Sequence, residues 1–197
     1  MLTPDLRDAL APLVAAFEAL HIPFMVGGSV ASSWLGVPRT TLDVDVVADL
    51  NADLATALYR VLSKSYYVDL GAVTEAIHSQ SSFNLIHEDT MQKIDVFVLK
   101  QRSFDQQSFA RRHEEALFET PGASRVPVAS PEDIILNKLE WFRMGNEISE
   151  RQWNDVLGVM KVQHTGLDWD YLRKWAADLG VLDLLERAEK ERVGRNA

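Results

Sequence analysis

Cysteine is absent from the 197 residues. Disulfides and thiolate metal sites are thereby excluded, and the reducing cytoplasm is the expected compartment. No apolar run approaches the ~18 residues of a membrane span, so no membrane partner is expected. The opening Met-Leu-Thr-Pro-Asp-Leu-Arg-Asp carries acids where an export signal carries positive charge, and no such signal is expected there. Internal repeats and low-complexity tracts are missing as well. Positive charge is scarce: 20 Lys and Arg stand against 29 Asp and Glu, a net charge of −9. A broad grip on a nucleic-acid backbone needs clustered cations, and this balance argues against one. The deficit is uneven, with 6 basic and 12 acidic residues in 1–100 but 14 and 17 in 101–197. A nucleic-acid partner would therefore meet the second half. The five histidines show no metal-ligand spacing and are read as structural.

What is present falls into two patterns. Thr3 then Pro4 reads as a cap with a first-turn proline, and Leu6, Leu10, Leu13, Val14, Phe17 and Leu20 predict an amphipathic helix over 4–20. Phe24 to Val26 is a short apolar strand, 29–36 a helix, and 43–48 a second strand that Pro38 approaches in extended form. Asn51 caps a helix ending near Ser63. The stretch after it reads as strand-rich. Ser82–His87 and Gln92–Leu99 are joined by a turn at Glu88-Asp89-Thr90, with weaker strands at Leu117–Thr120 and Arg125–Val128 around Pro121-Gly122. From Ser130-Pro131-Glu132-Asp133 the period becomes helical, with helices expected at about 131–144, 149–163, 168–178 and 181–191. Trp141, Trp153, Trp169 and Trp175 fall at helical spacing and read as core. The expected organisation is an α+β core over 1–129 and a helical subdomain over 130–197.

Chemistry concentrates in Leu-Asp-Val-Asp-Val-Val. Asp43 and Asp45 sit at i and i+2, which on a strand places both on one face. Adjacent carboxylates repel unless a cation lies between them, and hard oxygen donors suit magnesium or manganese. Leu42, Val44, Val46 and Val47 mark the strand as buried. An EF-hand is disfavoured, because Ala48 stands where that loop needs glycine. Asp95, in Lys-Ile-Asp-Val-Phe-Val, lies on another apolar strand and completes a triad if the two strands are neighbours. Upstream, Gly27-Gly28-Ser29 opens a helix, where free N–H groups and close backbone approach favour phosphate.

Arg39 lies four residues before Asp43 and is placed to pair with a phosphate or to hold the carboxylates; a surface arginine is the alternative. Lys138, among apolar helical neighbours, either snorkels or points into a cleft. Arg151 and Asp155, at i and i+4, share a helix face and would form a salt bridge.

The run Gly27-Gly28-Ser29, Arg39-x-Thr41-x-Asp43-Val44-Asp45 and Ile94-Asp95-Val96 resembles the signature of the nucleotidyltransferase superfamily that shares its fold with DNA polymerase β. The resemblance covers about the first 100 residues. It implies a mixed β-sheet core flanked by helices, followed here by a helical bundle. It also implies that Gly27, Gly28 and Ser29 hold the triphosphate of an NTP such as ATP, and that Asp43, Asp45 and Asp95 bind magnesium or manganese. Lys138 with Arg151 and Asp155 is similar to an element of the abortive-infection (AbiEii-type) toxin nucleotidyltransferases, where it lines the nucleotide or acceptor side. Those toxins place an aspartate directly after the arginine, whereas Gln152 stands here. The implied activity is NMP transfer from an NTP to an acceptor hydroxyl or phosphate. Asp43, Asp45, Asp95 and Lys138 are the catalytic candidates, and Gly27, Gly28, Ser29, Arg39, Lys138 and Asp155 the nucleotide-binding ones. The acceptor is RNA or tRNA for a toxin with an antitoxin partner. The alternatives are a small antibiotic-type molecule, or nucleotide binding without turnover.

Overall fold

The computed structural model describes residues 3–41, 43–118 and 125–194. The chain divides into two compact units, one of Met1–Val30 with Thr40–Ala129 and one of Ala31–Arg39 with Ser130–Ala197. The fold class is α+β, a seven-stranded mixed sheet with flanking helices and a run of helices after it.

Unit 1 carries the sheet. Its strands are β1 (Phe24–Val26), β2 (Asp43–Ala48), β3 (Tyr66–Tyr67), β4 (Ser82–His87), β5 (Lys93–Val98), β6 (His113–Glu115) and β7 (Val126–Val128), in the spatial order β3-β4-β5-β2-β1-β7-β6. β2 pairs parallel with β5 and antiparallel with β1, which pairs parallel with β7. Alternation along β2, β4 and β5 sends Val44, Val46, Ala48, Phe83, Leu85, Ile94, Val96 and Val98 inward. Val47 stays half-buried because it shares the face of Asp43 and Asp45.

Helix α1 (Pro4–Ala19) begins where the Thr3 hydroxyl accepts the Leu6 N–H, and it buries Leu6, Leu10, Leu13, Val14 and Phe17. It packs on β5 and on α3 (Ala55–Leu62), which follows a 3₁₀ turn capped by Asn51. Two helices interrupt the stretch that reads as strand-rich: α4 (Leu70–Ser79) and α5 (Ser103–Ala110). The Asp69 side chain caps α4 by accepting the Ala72 N–H, but β-branched residues and only two buried positions, Val73 and Ala76, mask its period. No side chain caps α5. Leu117 and Phe118 lie outside any strand, and the rest of the expected Leu117–Thr120 strand falls outside the described residues, as does Leu42.

The short helix α2 (Gly28–Leu35) begins in unit 1 and ends in unit 2. Unit 2 continues with α6 (Pro131–Met144), α7 (Glu150–Gln163), α8 (Trp169–Asp178) and α9 (Leu182–Gly194). At the start of α6 the Ser130 hydroxyl accepts the Asp133 N–H. Glu132 and Asp133 are buried; Glu132 accepts the Asp168 N–H at 3.0 Å and Asp133 the Tyr171 hydroxyl at 2.6 Å, so first-turn acids fasten α6 to α8. Trp153 and Trp175 are core residues as expected, but Trp141 is exposed, because its position on α6 falls on the solvent stripe.

Candidate active site

In unit 1 the parallel register sets Asp45 beside Asp95 and Asp43 beside Lys93. In-register residues of neighbouring strands point to the same side, so Asp43, Asp45 and Asp95 occupy one half-buried sheet face. β1 runs directly into the glycine turn. The Gly27 N–H donates to the Asp45 carbonyl at 2.9 Å, and the Ser29 N–H donates to Asp45 Oδ2 at 3.3 Å. The start of α2 is thus engaged by a carboxylate of the chain itself, which the dipole there favours. The expectation of free donors is corrected to this extent: two of the three N–H groups at 27–29 are already in use. Thr41 donates its hydroxyl to the Asp43 carbonyl at 3.1 Å and steadies the entry to β2.

The glycines differ in what they permit. Gly28 has φ +53°, and a Cβ there would lie 1.7 Å from Asp45 Oδ2. No side chain fits unless Asp45 leaves its position. At Gly27 a Cβ would meet nothing within 4 Å, so that side of the turn is open.

Lys93, absent from the sequence-derived candidates, stands at the exposed edge of this face, at the start of β5. Its Nζ lies 2.8 Å from Asp95 Oδ2. The hydrogen bond to Asp95, with the fields of Asp43 and Asp45 adding to it, raises the ammonium's pKa above the ordinary lysine value. Its place two residues before Asp95 on a strand was the available signal. Among the described residues, no three acids or histidines converge closely enough to hold a metal ion. The donors nonetheless suit a hard divalent cation: three carboxylates share a face, and an ammonium stands among them as a substitute cation.

Unit 2 brings together the other candidates. Asp155 on α7 is buried and accepts from Arg39 through Nε at 2.6 Å and Nη2 at 2.7 Å, while Lys138 Nζ on α6 lies 2.9 Å from its Oδ2. Burial opposes ionisation of Asp155, but the hydrogen bonds from Arg39 and Lys138 outweigh it and hold the carboxyl below its usual range. Arg39 is therefore no free surface arginine, and Lys138 does not snorkel. The expected Arg151–Asp155 bridge does not form. Arg151 is exposed in the first turn of α7, whereas Asp155 faces inward to the two other cations. Two glycines allow close backbone approach here: a Cβ at Gly36 would lie 2.8 Å from the Val159 nitrogen, and one at Gly158 3.3 Å from the Val37 nitrogen.

No protein-family model matches the chain, and no curated protein matches it either. Solved structures do. An antigenic nucleotidyltransferase-like protein from Paracoccidioides brasiliensis is 19% identical over 95% of this chain and 93% of its own, with a TM-score of 0.57. The antibiotic-resistance factor ANT(2'')-Ia, in complex with adenylyl-2''-tobramycin, is 16% identical over 87% of this chain and 95% of its own, with a TM-score of 0.58. A putative nucleotidyltransferase from Thermotoga maritima is 16% identical over 79% and 96%, with a TM-score of 0.52. The chain has a nucleotidyltransferase-like fold, and these structural neighbours are nucleotidyltransferases or resemble them.

Proposed function

We propose that the chain is a magnesium- or manganese-dependent nucleotidyltransferase that moves an NMP from an NTP to an acceptor hydroxyl and releases pyrophosphate. The observation that carries this reading is the carboxylate face of Asp43, Asp45 and Asp95, with Gly28 pressed against Asp45. These three acids would hold the divalent ion, which when bound screens the triphosphate and makes the acceptor hydroxyl more acidic. The open side of Gly27 leaves room for phosphate to approach the backbone. Asp95 takes the acceptor's proton as the acceptor oxygen bonds to the α-phosphorus. The bond from that phosphorus to the bridging oxygen breaks, and its electron pair leaves with pyrophosphate. Arg39 and Lys138 both bind Asp155, and in this reading their cationic groups serve an anionic phosphate. In this reading Asp155 orients both cations.

For the acceptor we favour a cationic small molecule. A net charge of −9 attracts such a ligand and repels RNA. The adenylyl-tobramycin complex of one structural neighbour is in keeping with this choice. An RNA or tRNA acceptor, in a toxin held by an antitoxin, rests on the Lys138 and Asp155 motif alone.

The test is incubation with each α-labelled NTP and Mg²⁺, in separate reactions with aminoglycoside-type amines and with tRNA. Label is expected on the small molecule. Asp43→Ala with Asp45→Ala should lower transfer by about a thousandfold, the scale of a lost metal centre. Equal transfer by the double variant and the wild type overturns the reading.

A further inference from the structure

Lys93 is the first residue of β5. It stands across the parallel ladder from Asp43 and, two residues before Asp95, on the same face as all three carboxylates. Its ammonium lies 2.8 Å from Asp95 Oδ2, and its side chain is 44% exposed. Two features follow from elementary electrostatics. Three carboxylates on adjacent strand positions repel, and one ammonium only partly offsets them. An ammonium held by one carboxylate and reachable by water is also a weak competitor against a doubly charged ion with the same oxygen donors.

We propose that Lys93 is a built-in counter-ion of this face: it holds Asp95 while no divalent ion is bound, must give up that contact when one binds, and so sets the metal affinity. The proposal rests on the metal-dependent reading above. In it, Lys93 is a positioning residue for Asp95. Its side chain keeps the three acids compatible with the folded sheet and weakens metal binding by occupying the carboxylate the ion needs. Because the lysine sits at the solvent-accessible start of a strand, its stem has a direction in which to swing away.

The experiment is a nucleotide-free Mn²⁺ titration followed by calorimetry. The proteins are wild type, Lys93→Met, Lys93→Gln, Lys93→Arg and the Asp43→Ala/Asp45→Ala double variant. Thermal melting is run with and without Mn²⁺. Loss of the competing charge should tighten Mn²⁺ binding about two- to fivefold in Lys93→Met and Lys93→Gln, the scale of one exposed ion pair. Both should melt below wild type without metal and gain more on adding it, while Lys93→Arg stays near wild type. A second measurement needs no variant: reductive methylation of the wild type, read at Lys93 by mass spectrometry, should accelerate when Mn²⁺ is added. If Lys93→Met and Lys93→Gln bind Mn²⁺ as wild type does, and methylation is unchanged by the ion, the counter-ion role is refuted while the metal site stands. If wild type and the double variant bind no Mn²⁺ alike, the metal-dependent reading has failed, and the role of Lys93 falls with it.

Discussion

Unit 1 and unit 2 solve opposite charge problems. On the sheet, three carboxylates lie on one face with one ammonium, which bonds to Asp95; among the helices, two cations share one carboxylate. The first group is half-buried and lets water take up part of its imbalance. The second is centred on an aspartate whose side chain is only 5% exposed, so pairing must compensate it. Residues of the sheet face should therefore matter most for chemistry, and Asp155 most for folding.

The largest effect on stability is expected from Asp155→Ala. It leaves Arg39 and Lys138 without their shared carboxylate and should cost about 3–5 kcal/mol, read by urea unfolding. The same pair sets an acid limit. A carboxyl held below its ordinary value stabilises the fold above the unfolded pKa of about 3.9 and loses that contribution as pH falls through the lower folded value. Stability should decline below about pH 4, with a shallower acid slope in Asp155→Asn. Gly36→Ala comes next. Its methyl would meet the Ser32 carbonyl at 2.7 Å and the Val159 nitrogen at 2.8 Å, both backbone atoms, and overpacking of this kind costs about 1–3 kcal/mol in thermal or urea melts. The smallest change should come from the double alanine variant of Asp43 and Asp45. In metal-free buffer it should stay within about 1 kcal/mol of wild type, since the repulsion it removes offsets the loss of the Asp45 bond to the Ser29 N–H, while Asp95 keeps its contact with Lys93. A large loss there would break the contrast between the units.

Much of the sheet could be read from the sequence because its strands alternate cleanly. β2 and β4 begin and end where the sequence sets them, and β5 is one residue shorter at each end. Register was not legible: nothing local states that Asp45 lies beside Asp95 across 50 residues, since that depends on which strands neighbour each other. α5 escaped because it has no apolar stripe, and α4 because Val73, Thr74 and Ile77 are β-branched and sit among strands. The pairing of Arg39 with Asp155, 116 residues apart, was equally hidden. Sequence spacing offered Arg151 as the partner, and only burial of the inward face of α7 decides against it. Lys93 was hidden differently. It precedes Asp95 by two residues, but a lysine at the start of a strand is an ordinary solvent-edge residue, and only the side-chain geometry pairs it with the carboxylate.

Gly28 is glycine for two separable reasons, its positive φ and the Asp45 carboxylate where an L-residue's Cβ would lie. Ordinary mutagenesis imposes both penalties at once. A mirror-image residue does not: D-alanine prefers this φ and carries its methyl on the other side of Cα. Chirality is thus a selective handle on this turn, and the one substitution by which backbone freedom could be removed at residue 28 while Asp45 keeps its place is one the genetic code does not supply.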